Sequence, residues 1–332
     1  MPESTSRQER RNPYGELIHR LNQRYHAEWV RAELLHNELD GLRQSRLGRL
    51  VAWYHRLKRR LWLATHDTRL PLTERAVTYI PPAEVPLPTS RVSIVIPFRD
   101  CPELLGNCLL SLHAGTYRNY EVVLVNNGST DPRTLRLLDR LKQRRRYRVV
   151  DCQEPFNFSR LCNMGARQAH GEHLLFLNND TEVLTRDWLE QLLRIGADAR
   201  IGVVGATLLY PDRTIQHAGL FPRADGHWVH PYRGRPGDDL GDEGELRMVR
   251  SVPAVTAACL LIKRELFLEL GGFDERYPVS NNDVDLCERV RDKGLLVTIS
   301  PHARLIHYEG LSRGVSIEAP NHATDRATRK TT

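Results

Sequence analysis

The sequence predicts an α/β fold built on a mostly parallel, doubly wound sheet flanked by helices. Two observations carry that expectation. Short apolar runs alternate with stretches whose apolar residues recur at helical spacing. Such alternation returns the chain across the sheet after every strand and makes successive strands parallel. In addition, three of the runs stop abruptly on polar clusters, at the strand ends where open α/β sheets bind ligands.

The elements follow in order. "VSIVIP" (Val92–Pro97) is the first strand, and Leu104, Leu105, Cys108, Leu109 and Leu112 mark a helix stripe. "EVVLVN" (Glu121–Asn126) is the second strand, followed by a helix with Leu137, Leu138 and Leu141 inward. "YRVVD" (Tyr147–Asp151) is the third, and a helix is predicted over Phe158–His170. "HLLFLN" (His173–Asn178) is the fourth, before a helix faced by Trp188, Leu189, Leu192 and Leu193. "IGVVGATLL" (Ile201–Leu209) is a further strand. The apolar Val252–Leu270 stretch, ending before Gly271-Gly272, is expected to floor the site. "ARLIHY" (Ala303–Tyr308) reads as a strand before a Gly-rich loop. No GxGxxG follows the first strand, which disfavours an NAD-type dinucleotide fold.

Ahead of this pattern lies a basic, helical extension over residues 1–78. Residues 1–90 hold 15 Lys/Arg against 10 Asp/Glu, most of the whole chain's net charge of +7. Tyr14, Ile18, Leu21, Tyr25, Ala32, Leu35, Leu39 and Leu42 form a seam suited to a coiled coil or a partner helix. A homo-oligomer through residues 14–42 is the expectation. From Gly41 to Leu63 there are seven basic residues and no acid, interleaved with Trp53, Trp62 and leucines. Such a helix lies on an anionic membrane surface, or docks on the body with a solvated basic face. Nucleic acid is disfavoured as partner, because the apolar residues keep helical spacing and are not scattered as stacking platforms. "YIPPAEVPLPTS" (Tyr79–Ser90) reads as a stiff linker. The expected division is 1–78, the linker 79–90, a catalytic domain over 91–315, and a polar, disordered tail over 316–332. The six cysteines form no CxxC pair and read as reduced core residues. No apolar run reaches the roughly 20 residues of a membrane span. The expected location is cytoplasmic, peripheral at the inner face of a plasma membrane.

The polar strand ends are Pro97-Phe98-Arg99-Asp100, Asn126–Asp131 and Asn178–Glu182. A carboxylate such as Asp180, delivered to that edge, suits Mg²⁺ or Mn²⁺ and the phosphate oxygens such ions bridge. The plainer alternative is that Asn178–Glu182 turns the chain and caps the next helix.

The ordered set "VSIVIPFRD", "VVLVNNGSTD", "NMGARQAHGEHLLFLNNDTEV", "LGGFDERY", "NNDVDLCERVRDKG" and "RLIHYEGLSRG" resembles family 2 glycosyltransferases of the GT-A fold. The likeness is to the bacterial group that assembles surface polysaccharides of the O-antigen type, and it covers about residues 91–314. It implies a nucleotide-diphosphate-sugar donor, a divalent Mg²⁺ or Mn²⁺, and inverting transfer to a glycan or lipid-linked glycan. Pro97, Phe98, Arg99, Asn126 and Asn127 would then line the donor. Asn126 stands where the family often has Asp, and its amide oxygen still accepts from a uracil or thymine N3–H. A UDP- or dTDP-sugar is therefore expected. Arg160 resembles the family's positive contact to the nucleotide or diphosphate.

Asn178, Asn179 and Asp180 occupy the DxD position, with Asn178 replacing its first Asp. Asp180 is the expected metal ligand, and Glu182 is a weaker candidate whose alternative is to face solvent. Asp283, in the place of the acidic ED motif with Asn282 for Glu, resembles the catalytic base. Asp285 and Glu288 follow, and first-turn acids also favour a helix dipole. His307 resembles the histidine that completes the metal site, and Ser312, Arg313 and Gly314 would close over the diphosphate. His217, in "IQHAG", has no assigned role. The competing reading is a degenerate nucleotide-sugar-binding module, motivated by Asn126, Asn178 and Asn282. A nucleotidyltransferase is disfavoured by the missing Gly-rich signature.

Overall fold

The structure, a computed structural model, describes residues 89–309 except Glu243. The expected helical extension over 1–78, its 14–42 seam, its basic 41–63 stretch, most of the linker, Arg313 and the 316–332 tail all lie outside the described residues.

Along the chain run β1 (Val92–Phe98), α1 (Pro102–Ala114), β2 (Tyr120–Asn126), α2 (Pro132–Lys142), β3 (Tyr147–Asp151), α3 (Phe158–Arg167) and β4 (His173–Leu177). There follow β5 (Thr181–Val183), α4 (Trp188–Gly196), β6 (Ile201–Leu209), β7 (Ile215–His217), β8 (Phe221–Pro222), β9 (Trp228–Val229) and β10 (Arg250–Ser251). The last are β11 (Cys259–Lys263), α5 (Arg264–Glu269), α6 (Asn282–Asp292) and β12 (Leu296–His307).

The main sheet runs β10-β12-β6-β11-β4-β1-β2-β3, with β5 paired to β12 and β7 to β6. β1, β2, β3 and β4 are mutually parallel, as are β6 and β12. β11 runs antiparallel to both β4 and β6. Its N-terminus therefore sits at the same edge as the C-termini of β1, β2 and β4. That reversal brings the 254–258 loop to the ligand edge.

Strand residues alternate between two cores, as a pleat requires. Ile94, Ile96 and Leu124 pack with α1, α2 and α4 on one face. Val95, Val123 and Val125 pack with α3, α5 and α6 on the other. Asp131 and Asn157 cap α2 and α3 by accepting from Arg133 N (2.8 Å) and Arg160 N (3.0 Å). α3 ends at Arg167, short of the predicted His170. The His170 N–H donates to Glu121 Oε1 at 2.7 Å and so cannot continue the helical ladder.

Two close approaches explain glycines. A Cβ on Gly205 of β6 would lie 2.7 Å from Val255 Cβ, so the 254–258 loop packs directly on the strand. Gly272 has φ +81° and faces Asn163, whose amide bonds both Phe273 N (2.9 Å) and Phe273 O (2.8 Å). Asn163 thereby pins the "GGFDERY" loop to α3. All six cysteines are free. Among the described residues no helix is long and apolar enough to cross a membrane.

Candidate active site

The apolar β4 ends on Asn178 because the chain must turn there into β5, which lies antiparallel to the end of β12. Asn178 N donates to Ala258 O at 3.1 Å, and Tyr308 N to Asp180 O at 2.9 Å. Thr181 stands opposite His307 in the register. The turn therefore sets Asp180 beside His307, with Asp180 Oδ1 3.2 Å from His307 Nε2. Asn178 Nδ2 lies 3.1 Å from the same ring nitrogen. Asp180 and His307 are only 3% and 8% exposed, and β5 also buries Glu182, so its solvent-facing alternative does not hold. The cause is β5 itself, in which Glu182 pairs with Ile306 of β12. Asn179 is buried too, and its Nδ2 has no hydrogen-bond partner.

This pair fits an octahedral Mg²⁺ or Mn²⁺. Neighbouring ligands around an ion with bonds of about 2.1 Å stand about 3.0 Å apart, close to the 3.2 Å found here. The carboxylate oxygen suits both ions, and the imidazole nitrogen beside it suits Mn²⁺ better than the harder Mg²⁺. Among the described residues no group of three or more His, Cys, Asp or Glu is arranged to hold a metal. Asp180 and His307 would therefore hold such an ion together with ligands from outside the protein.

Asp283 sits in the first turn of α6, half-buried. Its Oδ2 accepts from Ala257 N at 3.2 Å and its Oδ1 from Val284 N at 2.9 Å. Removal from water pushes its pKa up; the N–H groups of Ala257 and Val284 and the Thr256 hydroxyl partly offset this. Asp285 is engaged differently. It forms an i,i+4 ion pair with Arg289 at 2.5 Å, and Arg289 also donates to Leu270 O at 2.8 Å. Asp285 thus ties down its own helix, and Glu288 is exposed.

Ala257 holds Asp283 while the next residue, Ala258, holds Asn178. Neighbouring residues of one loop, about 3.8 Å apart along the chain, thus clamp the carboxylate and the metal turn together.

The ends of β1 and β2 form the other flank. Phe98 and Asn126 are paired in register, and Asn127 N donates to Phe98 O at 2.9 Å. Pro97 and Phe98 are buried and Arg99 is exposed. Asp100 Oδ1 accepts from Thr130 N and Asp131 N, both at 2.8 Å, and so closes the "NNGSTD" loop. The Asn126 amide is engaged within the protein: Nδ2 donates to Asp151 Oδ1 (2.8 Å) and Oδ1 accepts from Ser129 N (3.0 Å). A carboxylate missing at position 126 is thus present beside it, on β3. Arg160 is held by Glu154 and, through Nε at 3.0 Å, by Glu275. Asp100, Asp151 and Gln216, whose Oε1 lies 2.7 Å from His307 Nδ1, were given no role by sequence. Each acts through a neighbour that only the fold supplies.

The profile of glycosyl transferase family 2 matches residues 93–270. The O-antigen biosynthesis protein RfbC of Myxococcus xanthus is 41% identical over 227 residues, covering 68% of this chain and 18% of that protein. An N-acetylglucosaminyl-diphospho-decaprenol L-rhamnosyltransferase of Mycobacterium tuberculosis (strain ATCC 25618 / H37Rv) is 40% identical over 65 residues, 20% of this chain and 21% of that one. The chain thus spans about a fifth of the length of these relatives. The solved structure of GalNAc-T7 with UDP, GalNAc and Mn²⁺ matches with a TM-score of 0.56 at 19% identity, over 66% of this chain and 43% of that one. That likeness shows the GT-A fold. With the profile spanning more than half of its length, the chain belongs to glycosyl transferase family 2.

Proposed function

We propose that the chain is an inverting glycosyltransferase of polysaccharide biosynthesis that uses a nucleotide-diphosphate sugar. The observation that carries this reading is the clamp at Ala257-Ala258, which ties the Asp283 carboxylate and the Asn178 turn to one loop. Asp283 takes the proton of the acceptor hydroxyl. The acceptor oxygen attacks the anomeric carbon, the bond to the diphosphate oxygen breaks, and a single displacement inverts that carbon. When bound, Mg²⁺ or Mn²⁺ neutralises charge on the departing diphosphate. Asp180 and His307 hold the ion, and the ends of β1 and β2 bind the nucleotide. Arg160 reaches the diphosphate only by exchanging one of its two carboxylate partners.

A pyrimidine donor is supported by the Asn126–Asp151 pair, whose free lone pairs suit an imide N–H. A lipid-linked acceptor is supported by the name of the mycobacterial relative. The basic 41–63 stretch would hold the enzyme at an anionic membrane where such an acceptor resides.

The test is nucleotide release by the full chain from UDP-, dTDP- and GDP-sugars, with Mg²⁺ or Mn²⁺ and with a chelator. Metal-dependent release from a pyrimidine donor is expected. Binding without turnover would instead favour the degenerate module that Asn126, Asn178 and Asn282 motivate.

A further inference from the structure

We infer that the dipeptide Gln216-His217 on β7 is a two-sided positioning device: Gln216 fixes the ring of His307, and His217 fixes the loop that holds Asp283. The inference rests on the site reading above. Neighbouring residues of a strand point to opposite faces, so one short strand reaches both halves of the site.

On the first face, Gln216 is 5% exposed. Its Nε2 lies 3.2 Å from His307 O and 3.3 Å from Glu309 Oε2, both of which only accept. Glu309 is itself anchored by Arg233 at 2.8 Å and by the Tyr210 hydroxyl at 3.2 Å. The amide orientation is thereby set, and Gln216 Oε1 faces His307 Nδ1 at 2.7 Å. An amide oxygen only accepts, so Nδ1 carries the ring proton. In the neutral ring the lone pair is then on Nε2, the nitrogen 3.2 Å from Asp180 Oδ1 and 3.1 Å from Asn178 Nδ2. This is the tautomer a metal-binding histidine needs, held by an outer partner as such ligands usually are.

On the second face, His217 is 1% exposed. Its Nε2 accepts from Thr256 N at 3.4 Å, so its proton is on Nδ1, which donates to His230 Nδ1 at 3.0 Å. Burial holds both rings neutral, with His217 well below the usual range and His230 lowered to about 4. Thr256 and the Ala257 N–H are the groups that grip Asp283.

The test begins with long-range ¹H–¹⁵N spectra of the full chain labelled at histidine, at pH 8 and without metal or nucleotide. His307 and His217 are each assigned by a single substitution. Both rings are expected as neutral Nδ1–H tautomers. Gln216→Leu should lose that preference at His307. An Nε2–H or doubly protonated His307 in the native chain would overturn the inference, whether or not the Gln216 variant folds.

Mn²⁺ binding in the presence of UDP, read by electron paramagnetic resonance, follows. Gln216→Leu should weaken it about tenfold or more, as loss of an outer partner does. His217→Leu should leave Mn²⁺ affinity unchanged and slow donor turnover at least about tenfold. His217→Gln, whose Oε1 reaches the Thr256 N–H, should restore most of it. Equal loss of both readouts in both leucine variants would mean a structural role only and overturn the division. Correct tautomers without Mn²⁺–UDP binding in the native chain would contradict the proposed function and leave the tautomer assignment standing.

Discussion

Asp283 is the proposed base, and its surroundings pull in opposite directions. Removal from water raises its pKa, while the Ala257 and Val284 N–H groups and the Thr256 hydroxyl lower it, with burial winning. A carboxylate base works only when ionised. Turnover must therefore fall as pH falls through this pKa, and the acid limb lies above the ordinary aspartate value of about 3.9. Thr256→Val removes a group that favours the ionised form, so the limb should move to higher pH. The check is the pH profile of donor turnover at saturating metal. A limb that stays in place would show that Thr256 does not tune the base. Asp180 was singled out in the sequence by its place at the end of an apolar run, and Asp283 by its place in the ordered motifs that carry the family resemblance. Asp151 was not, since its link to Asn126 exists only through the pairing of β2 with β3.

At the scale of elements, the site depends on short pieces joined across long separations. Asn178 and His307, 129 positions apart, meet because the three-residue β5 pairs with the end of β12. Strands of two or three residues, such as β5, β7 and β10, are too short for alternation to register in a sequence. The long β12 was read only in its second half, and its pairing with β6 shifts between Ser300 and Arg304. The longer β1, β2, β4 and β6 and the helices between them were legible, because their spacing repeats over whole elements. The 254–258 loop is set by Gly205, whose missing Cβ makes room for Val255. Gly205→Ala should therefore overpack this contact and cost about 1–3 kcal/mol. The measurements are thermal melting and donor turnover of the full chain. Both should drop, because Val255 moves with the residues that grip Asp283. Unchanged melting would contradict the packing.

Across the described residues, the parallel strands gather the polar ends of β1, β2 and β4 at one edge, and β11, inserted antiparallel between β4 and β6, brings the 254–258 loop to that edge. The α/β class and the ligand edge followed from the alternation of strands and helices. The antiparallel β11 did not, because an apolar run carries no mark of its direction. The division of labour between the metal pair and Asp283 is the central claim, and Asp283→Asn tests it most directly. The substitution leaves the Asp180–His307 pair untouched and keeps one oxygen to accept from α6 or from Ala257. Titration with Mn²⁺ and the donor found to turn over should give an affinity equal to that of the native chain. Turnover should fall by at least about 10²-fold, the lower end of what a general base supplies. Retention of more than about a tenth of the native rate would contradict Asp283 as the base.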